Sequence, residues 1–437
     1  MKSRSLFGID IALLVATLTL TVIGILFIYS SNLTSTGVIY SNEYIKQIVW
    51  VLTGTGILLF FAFFDYGRLN DLSPYFYAGT LALLAYALFF GRIVNGARSW
   101  LGFTGGLGIQ PSEFAKIATI LFFARFLERS GSRIRELPVF IAAMVVAFAP
   151  VALILLQPDL GTSLVYIPIF LAMSYMAGAK IRHLMFLLLT GSILILFTVL
   201  PAWETHIARR EIPIIKILTD LRLTFYTVAS CILIIGLSVI GLLVLKRRYY
   251  YWIAYLAIVL VLGLLGSFGA RTVLKDYQIM RLIVFLDPSV DPRGTGWNVI
   301  QSVTAVGSGG FWGKGYLQGT QSHYRYLPEQ STDFIFSIIS EEWGFFGCIV
   351  VFALFLVILY RGLRIMSYAK DSYAIYLASG ITAMIFFHAV INIGMAIGIM
   401  PITGIPLFFL SYGGSSLWTA MSGVGILMSI YNRRFSY

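Results

Sequence analysis

The chain has 437 residues, 59% of them hydrophobic and 11% charged, with a formal net charge of +12 and a mean hydropathy of +0.87. Ordinary globular chains carry about 25% charged residues, so a water-soluble domain is excluded and a polytopic membrane protein is indicated. The basic excess is scattered in short loops between apolar segments, a pattern of membrane topology and not of nucleic-acid binding.

In chain order, segments of about 20 mostly apolar residues, the length a spanning helix needs, fall near 9–29, 46–64, 74–90, 113–127, 139–156, 160–177, 183–200, 225–245, 250–269, 334–360, 373–393 and 405–430. They predict an all-α polytopic membrane protein with about twelve transmembrane helices. The first has a long apolar stretch and no small-residue cleavage site after it, so it is expected to stay as an anchor. Cys231 and Cys348 both lie inside apolar runs, where neither a disulfide nor a metal cluster is suggested. With Lys2 and Arg4 cytoplasmic, the loops carrying Arg68, Arg129/Arg133/Arg135, Lys180/Arg182, Lys246/Arg247/Arg248 and Arg361/Arg364/Lys370 fall on the same side, as does the tail with Arg433 and Arg434. Both termini are then cytoplasmic.

The opposite face receives three longer segments: 91–112, 201–224 and a large extracytoplasmic loop, 270–333. That loop holds Arg271, Lys275, Arg281, Arg293, Lys314 and Arg325. Long loops are exempt from the charge rule, and the excess suggests a basic surface for an anionic ligand. Turn clusters at Asp287-Pro288, Asp291-Pro292-Arg293-Gly294 and Gly307-Ser308-Gly309-Gly310 punctuate it. Between them Trp297–Val306 is expected as a short amphipathic helix. Gly313-Lys314-Gly315 resembles part of a phosphate loop but lacks the rest of the motif and a preceding strand.

Three polar islands sit at membrane edges on this same side. The first joins Asn95-Gly96-Ala97-Arg98-Ser99-Trp100 to Gln110-Pro111-Ser112-Glu113-Phe114-Ala115-Lys116. Pro111 suits a helix start, and Glu113 and Lys116 share a helix face and can pair, either to position helices or to contact a ligand. The second, Gln157-Pro158-Asp159-Leu160-Gly161-Thr162, holds Asp159 at a tight turn, where capping alone accounts for it. The third runs from Pro401-Ile402-Thr403-Gly404-Ile405-Pro406 to Ser411-Tyr412-Gly413-Gly414-Ser415-Ser416. It reads as a close helix crossing or as a break whose freed backbone groups line a polar cavity. His388 and Asn392, four apart on the preceding helix, can hydrogen-bond across the bundle.

Acids and aromatics collect between Gln321 and Gly347. Asp333 stands where a polar loop gives way to the apolar run Phe334–Ile339, with Glu341 and Glu342 about two turns further on. A carboxylate in hydrocarbon costs roughly 2.5–3.5 kcal/mol on insertion scales. These acids therefore need a partner, water or a chemical role. The alternative for Asp333 is a solvated helix entry, with Ser331 or Thr332 as the N-cap.

The runs QPSEFAK, QPDLGT, DPRGTGWNVIQS, GSGGFWGKG, LPEQSTDFIFSIISEEWG and PITGIPLFFLSYGGSS together resemble the SEDS family of shape, elongation, division and sporulation proteins. Gly319-Thr320-Gln321-Ser322 before LPE is more similar to its elongation branch than to its division branch. Two features depart from the family pattern. Phe408 stands where the GIPL motif is usually followed by Pro. The family usually has about ten spans, so the resemblance implies a surplus helix pair between 183 and 245 and a probable insertion at 201–250 in a single membrane domain.

The resemblance implies a peptidoglycan glycosyltransferase of the bacterial cytoplasmic membrane, polymerising lipid II on the outer face for cell elongation and rod shape. Asp333 matches the family's essential Asp. As general base it would activate the acceptor sugar hydroxyl for a single inverting displacement, with undecaprenyl pyrophosphate leaving. Arg98, Glu113 with Lys116, Asp159, Lys314, Glu341 and Ser415 are second candidates, for shaping the cavity or holding pyrophosphate, with or without a divalent cation such as Mg or Mn. The implied partners are a class B penicillin-binding protein, which is a transpeptidase, and other membrane proteins of the elongation complex. Two alternatives are a lipid-linked sugar flippase or transporter and a non-catalytic scaffold.

Overall fold

A computed structural model describes residues 9–94, 97–102 and 108–434. The chain forms two compact units, one made of the residues up to Ala179 together with those from Asn298 on, the other Lys180–Trp297.

The first unit opens with α1 (Ile11–Ser31), α2 (Glu43–Phe63) and α3 (Tyr66–Phe90). An antiparallel sheet of β1 (Arg92–Val94), β2 (Ala97–Gly102) and β3 (Gly108–Ile109) follows, in that order, with Ile93 opposite Arg98 and Leu101 opposite Ile109. Next come α4 (Pro111–Ser130), α5 (Leu137–Leu156), α6 (Leu160–Leu164) and α7 (Tyr166–Met176). The second unit packs α8 (Ile181–Trp203) and α10 (Leu221–Val244) each on α11 (Tyr249–Val273), with the short α9 (Lys216–Thr219) and α12 (Asp276–Leu286). α13 (Thr295–Ser308) leads back to the first unit and to α14 (Thr320–His323), α15 (Ile335–Tyr368), α16 (Ser372–Ala396) and α17 (Gly414–Asn432).

Among the described residues nine helices are long and apolar enough to cross a membrane: α1, α2, α3, α5, α8, α10, α11, α15 and α16. The other three expected spans are helical as well. α4 carries Glu113, Lys116, Arg125, Glu128 and Arg129, the sixth expected span is divided into α6 and α7, and α17 has 19 residues rich in Ser and Gly. The protein is a multi-pass, all-helical membrane protein with one small hairpin sheet. α16 is the axis of the first unit: 67% of its apolar window is buried, and it packs on α4, α7, α15 and α17.

Helix starts follow short polar side chains. Asp10, Asp65, Asp159, Asp220 and Asp371 each cap a helix by accepting the backbone N–H two or three residues further on. Asp10 also holds Arg361 of α15 at 2.5 Å, fastening the start of α1 to that helix.

Three helices contain an interior proline, and a proline leaves the carbonyl four residues earlier without its helical donor. In each case a neighbouring helix supplies one. Pro74 frees Asn70 O, which accepts from Arg125 Nη1 of α4. Pro150 frees Val146 O, which accepts from Tyr77 Oη of α3 at 2.6 Å. Pro201 frees Phe197 O, which accepts from Arg271 Nη2 of α11. Backbone groups in hydrocarbon must be satisfied within the protein, so these side chains serve as interhelical struts.

α15 is broken at Gly344, whose φ of 62° and ψ of −159° are open to glycine alone. The freed groups pair with the loop after α13. Lys314 N donates to Glu341 O and Gly315 N to Glu342 O, both at 3.0 Å, while Phe345 N and Phe346 N donate to Gly310 O and Phe311 O at 2.9 and 3.1 Å. With Gly313 N bonded to Gly309 O at 2.8 Å, the amides of the Gly313-Lys314-Gly315 segment are spent within the protein and do not form a phosphate cradle.

One sequence expectation needs correction. The N-cap of α15 is Phe334, with no side-chain bond, so neither Ser331 nor Thr332 caps it. Within 270–333 the chain forms α12, α13 and α14 between irregular segments, and α13 includes the amphipathic segment expected at Trp297–Val306. The sheet of 92–109 was not anticipated. Its strands flank Asn95-Gly96, a dipeptide that is itself the strongest short hairpin signal, although those two residues lie outside the described ones, as do Lys2 and Arg4.

Candidate active site

The three polar islands and Asp333 converge at one end of the first unit. Residues 401–413 leave the helical path, so the third island is the break and not a plain crossing. Its carbonyls are taken up by α16. Asn392 Nδ2 donates to Ile405 O at 2.8 Å and to Asp333 O at 2.9 Å, and His388 Nδ1 is 2.9 Å from Pro406 O. No proline follows Leu407, yet the turn holds, because Leu407 N donates to Ser411 Oγ at 2.8 Å and Ser411 N donates back to Leu407 O. Phe408, at the family's proline position, stacks on His388 with ring centroids 3.6 Å apart.

Beneath this break lies the expected ion pair. Lys116 Nζ is 2.8 Å from Glu113 Oε1, both side chains are almost wholly buried, and Nζ is also 3.1 Å from His388 Nε2. The first island is tied to the others through Gln110: its backbone N–H donates to Ser415 Oγ at 3.1 Å and its Nε2 to Asp159 Oδ2 at 3.0 Å. Asp159 also caps α6, accepting from Thr162 N and Thr162 Oγ1. Gly161 lies so close to the break that a Cβ there would stand 2.2 Å from Thr403 O.

Asp333 is at the rim of this column. It is half-buried; its N–H donates to Glu329 O at 3.0 Å, its carbonyl is held by Asn392, and a Cβ on Gly404 would lie 3.7 Å from its Oδ2. Several buried polar atoms of the column, Ser112 Oγ, Glu113 Oε2, Asn392 Oδ1 and Thr403 Oγ1, have no partner among the described residues. Buried polar groups are ordinarily paired, so this cluster has unused hydrogen-bonding capacity.

Lys314 and Glu341 belong to a second cluster, around the break in α15. Glu341 is fully buried and its Oε1 accepts from Lys314 Nζ at 2.7 Å, Thr320 N at 2.8 Å and Gln321 N at 3.0 Å. Glu342 accepts from Ser30 Oγ and from Leu317 N at 3.1 Å. His323 lies 3.8 Å from Glu342 Oε1, but burial, the largest influence on its imidazole, lowers the pKa below the usual histidine value. Arg98 stands apart on β2, exposed, with Nη1 3.5 Å from Phe89 O. Of the other basic residues expected to form an anionic-ligand surface, Arg271 is committed to carbonyls of its own unit and Arg325 lies over the Tyr40 ring at 3.3 Å.

Among the described residues no group of three or more His, Cys, Asp or Glu is arranged to hold a metal ion.

A family model of cell cycle proteins, named for FtsW, RodA and SpoVE, matches residues 11–220 and 211–435. The chain belongs to that family. Similarity within it extends over the full length of curated relatives. The peptidoglycan glycosyltransferase RodA of Treponema pallidum is 49% identical over 99% of this chain and 100% of its own. The peptidoglycan glycosyltransferase MrdB of Escherichia coli is 31% identical over 98% of this chain and 94% of its own. Among solved structures, a chain of a peptidoglycan synthase complex, determined for its coordination of polymerization and crosslinking, superposes with a TM-score of 0.69 at 26% identity, covering 99% of this chain and 100% of that one. The rod shape determining protein RodA of Thermus thermophilus shares the fold, with a TM-score of 0.61 at 23% identity and 99% coverage of both chains. In this family member the polar column joins segments from four separate parts of the first unit.

Proposed function

We infer that this chain is a peptidoglycan glycosyltransferase acting on lipid II, with Asp333 as its general base. The enzyme class rests on full-length similarity to RodA and MrdB. The role of Asp333 rests on its placement: a half-buried carboxylate beside Gly404, its backbone fixed on both sides, at the rim of a column with unpaired polar atoms.

In this reading Asp333 takes the proton of an acceptor sugar hydroxyl as that oxygen attacks the donor's anomeric carbon. The new glycosidic bond forms as the bond to pyrophosphate breaks, with inversion, and undecaprenyl pyrophosphate departs. A good leaving group of this kind needs no strong protonating acid, unlike the glycosidase case. Its charge does need cations. Lys116 is committed to Glu113 and His388, and Lys314 to Glu341, so these pairs brace the walls of the site. Arg98 keeps its guanidinium exposed and is the member of the candidate set suited to pyrophosphate. Asp159 and Ser415 hold Gln110 and so join the islands.

Asp333 faces outward and both termini are cytoplasmic in this reading, on the charge distribution of the loops, in the bacterial cytoplasmic membrane. The 201–250 segment is an insertion within the single membrane domain. Similarity to a chain of a peptidoglycan synthase complex supports a class B penicillin-binding protein as partner, within an elongation complex. Purified protein incubated with lipid II, with and without the partner, tests the assignment: glycan polymer is expected. No polymer in either case would favour a flippase, and polymer only on adding a separate glycosyltransferase would favour a scaffold.

A further inference from the structure

On the opposite end of α4 from Gln110 lies a cavity of about 270 Å3 lined by Phe122, Arg125, Phe126, Arg129, Ser130 and Arg133. Phe122, Arg125, Phe126, Arg129 and Ser130 follow the i, i+3, i+4, i+7, i+8 spacing of one face of α4, and Arg133 lies on the short turn that follows it. The groove therefore runs along the helix, with phenyl rings at its inner end and guanidinium groups at its outer end.

The inner wall is rigid. Phe122 stacks on Tyr77 with centroids 4.6 Å apart, and Arg125 is held by Asn70 O and lies 3.8 Å from Asp71. The nearby acid on the same helix, Glu128, is engaged by Asn70 Nδ2 at 2.8 Å. Arg129 and Arg133 are exposed and have no ion-pair partner among the described residues. A 20-residue helix is about 30 Å long, which puts its last turn at headgroup level when its first turn lies at the other membrane edge. Phe122 is then about 10 Å deeper than Arg129.

We propose that this groove is a binding site for an anionic phospholipid, its phosphate held by Arg129 and Arg133 and one acyl chain lying along Phe126 and Phe122. Charge bias in cytoplasmic loops and complementarity to the helix dipole account for arginines in this region. They do not account for two guanidinium groups without an ion pair, one on the last turn of α4 and one just beyond it, next to a pair of phenyl rings in the same groove. Basic clusters at the cytoplasmic end of a membrane helix are a recurrent form of headgroup site. The rings select a lipid over free phosphate, which shares the anionic group but has no chain to bury.

The test uses the full-length protein, purified in detergent and delipidated, with bound lipid counted by native mass spectrometry. The probes are palmitoyl-oleoyl phosphatidylglycerol, phosphatidylcholine with the same chains, and inorganic phosphate. Wild type should retain phosphatidylglycerol in preference to phosphatidylcholine, and Arg129→Gln with Arg133→Gln should weaken its binding by roughly thirtyfold. Arg133→Gln alone, at an exposed position beyond the helix, gives a milder loss and serves if the double variant folds poorly. Equal phosphatidylglycerol binding by wild type and variants would overturn the proposal. So would displacement of the lipid by inorganic phosphate at equal concentration, which would mark a site for a free anion.

Discussion

At the scale of single residues, most of the buried charge is paired, and pairing sets what each substitution should do. Lys116→Met leaves Glu113 as a buried, uncompensated carboxylate, at a cost of about 3–5 kcal/mol. Combining it with Glu113→Leu should return most of that stability, since apolar replacement of a whole buried pair is often neutral. Thermal unfolding of the two variants in detergent separates these cases, and a double variant no more stable than the single would contradict the account of the pair as a brace. His323 gives a pH dependence of known sign. Its native pKa is lowered, with burial the first cause, so the unfolded chain binds a proton that the native one resists. This contribution is present above the ordinary histidine value of about 6.5 and is lost as pH falls below it. His323→Gln should flatten the fall in melting temperature between about pH 7 and pH 5, and an unchanged slope would remove His323 as its source.

At the scale of elements, the prolines and Gly344 show how broken helices survive in hydrocarbon. Tyr77→Phe removes the α3 hydroxyl that donates to Val146 O and should cost about 1 kcal/mol, read as a lower melting temperature with the helical content unchanged. Gly344→Ala combines a forbidden backbone conformation with a Cβ 2.2 Å from Gly313 N, and should cost roughly 3 kcal/mol or more. The same features mark what could be read in the sequence. All twelve apolar segments contain helix, the last only from Gly414 on, because about 20 apolar residues leave the backbone few other ways to satisfy itself. The break at 401–413 was one of the two readings the sequence left open, and the Glu113–Lys116 pair was legible for a related reason: glycine, proline and unlike charges at helical spacing have local consequences. Gly344 was read as part of one span, since a glycine in an apolar run carries no sign that a loop 30 residues earlier will dock on it. The contact of Lys116 with His388 joins residues 272 positions apart, and no local pattern announces it. Nor does the sequence mark Lys314 as the partner of Glu341, although both were singled out.

At the scale of the whole molecule, the polar column ties four distant segments of the first unit to one rim, and the orientation of that rim follows from loop charge. In a Cys231→Ser/Cys348→Ser background, a cysteine at Glu329 should react with a membrane-impermeant maleimide on intact cells, while one at Arg133 should react only after permeabilisation. The reverse pattern would put Asp333 on the wrong side for an outward-facing polymerase. The most direct test of the account is lipid II polymerisation by purified wild type and Asp333→Asn, compared at equal melting temperature with the partner transpeptidase present. Loss of a general base is worth about 10²–10⁴ in rate, so wild type should yield glycan strands and the variant none above background. Strands of equal length and yield from both would take Asp333 out of the mechanism.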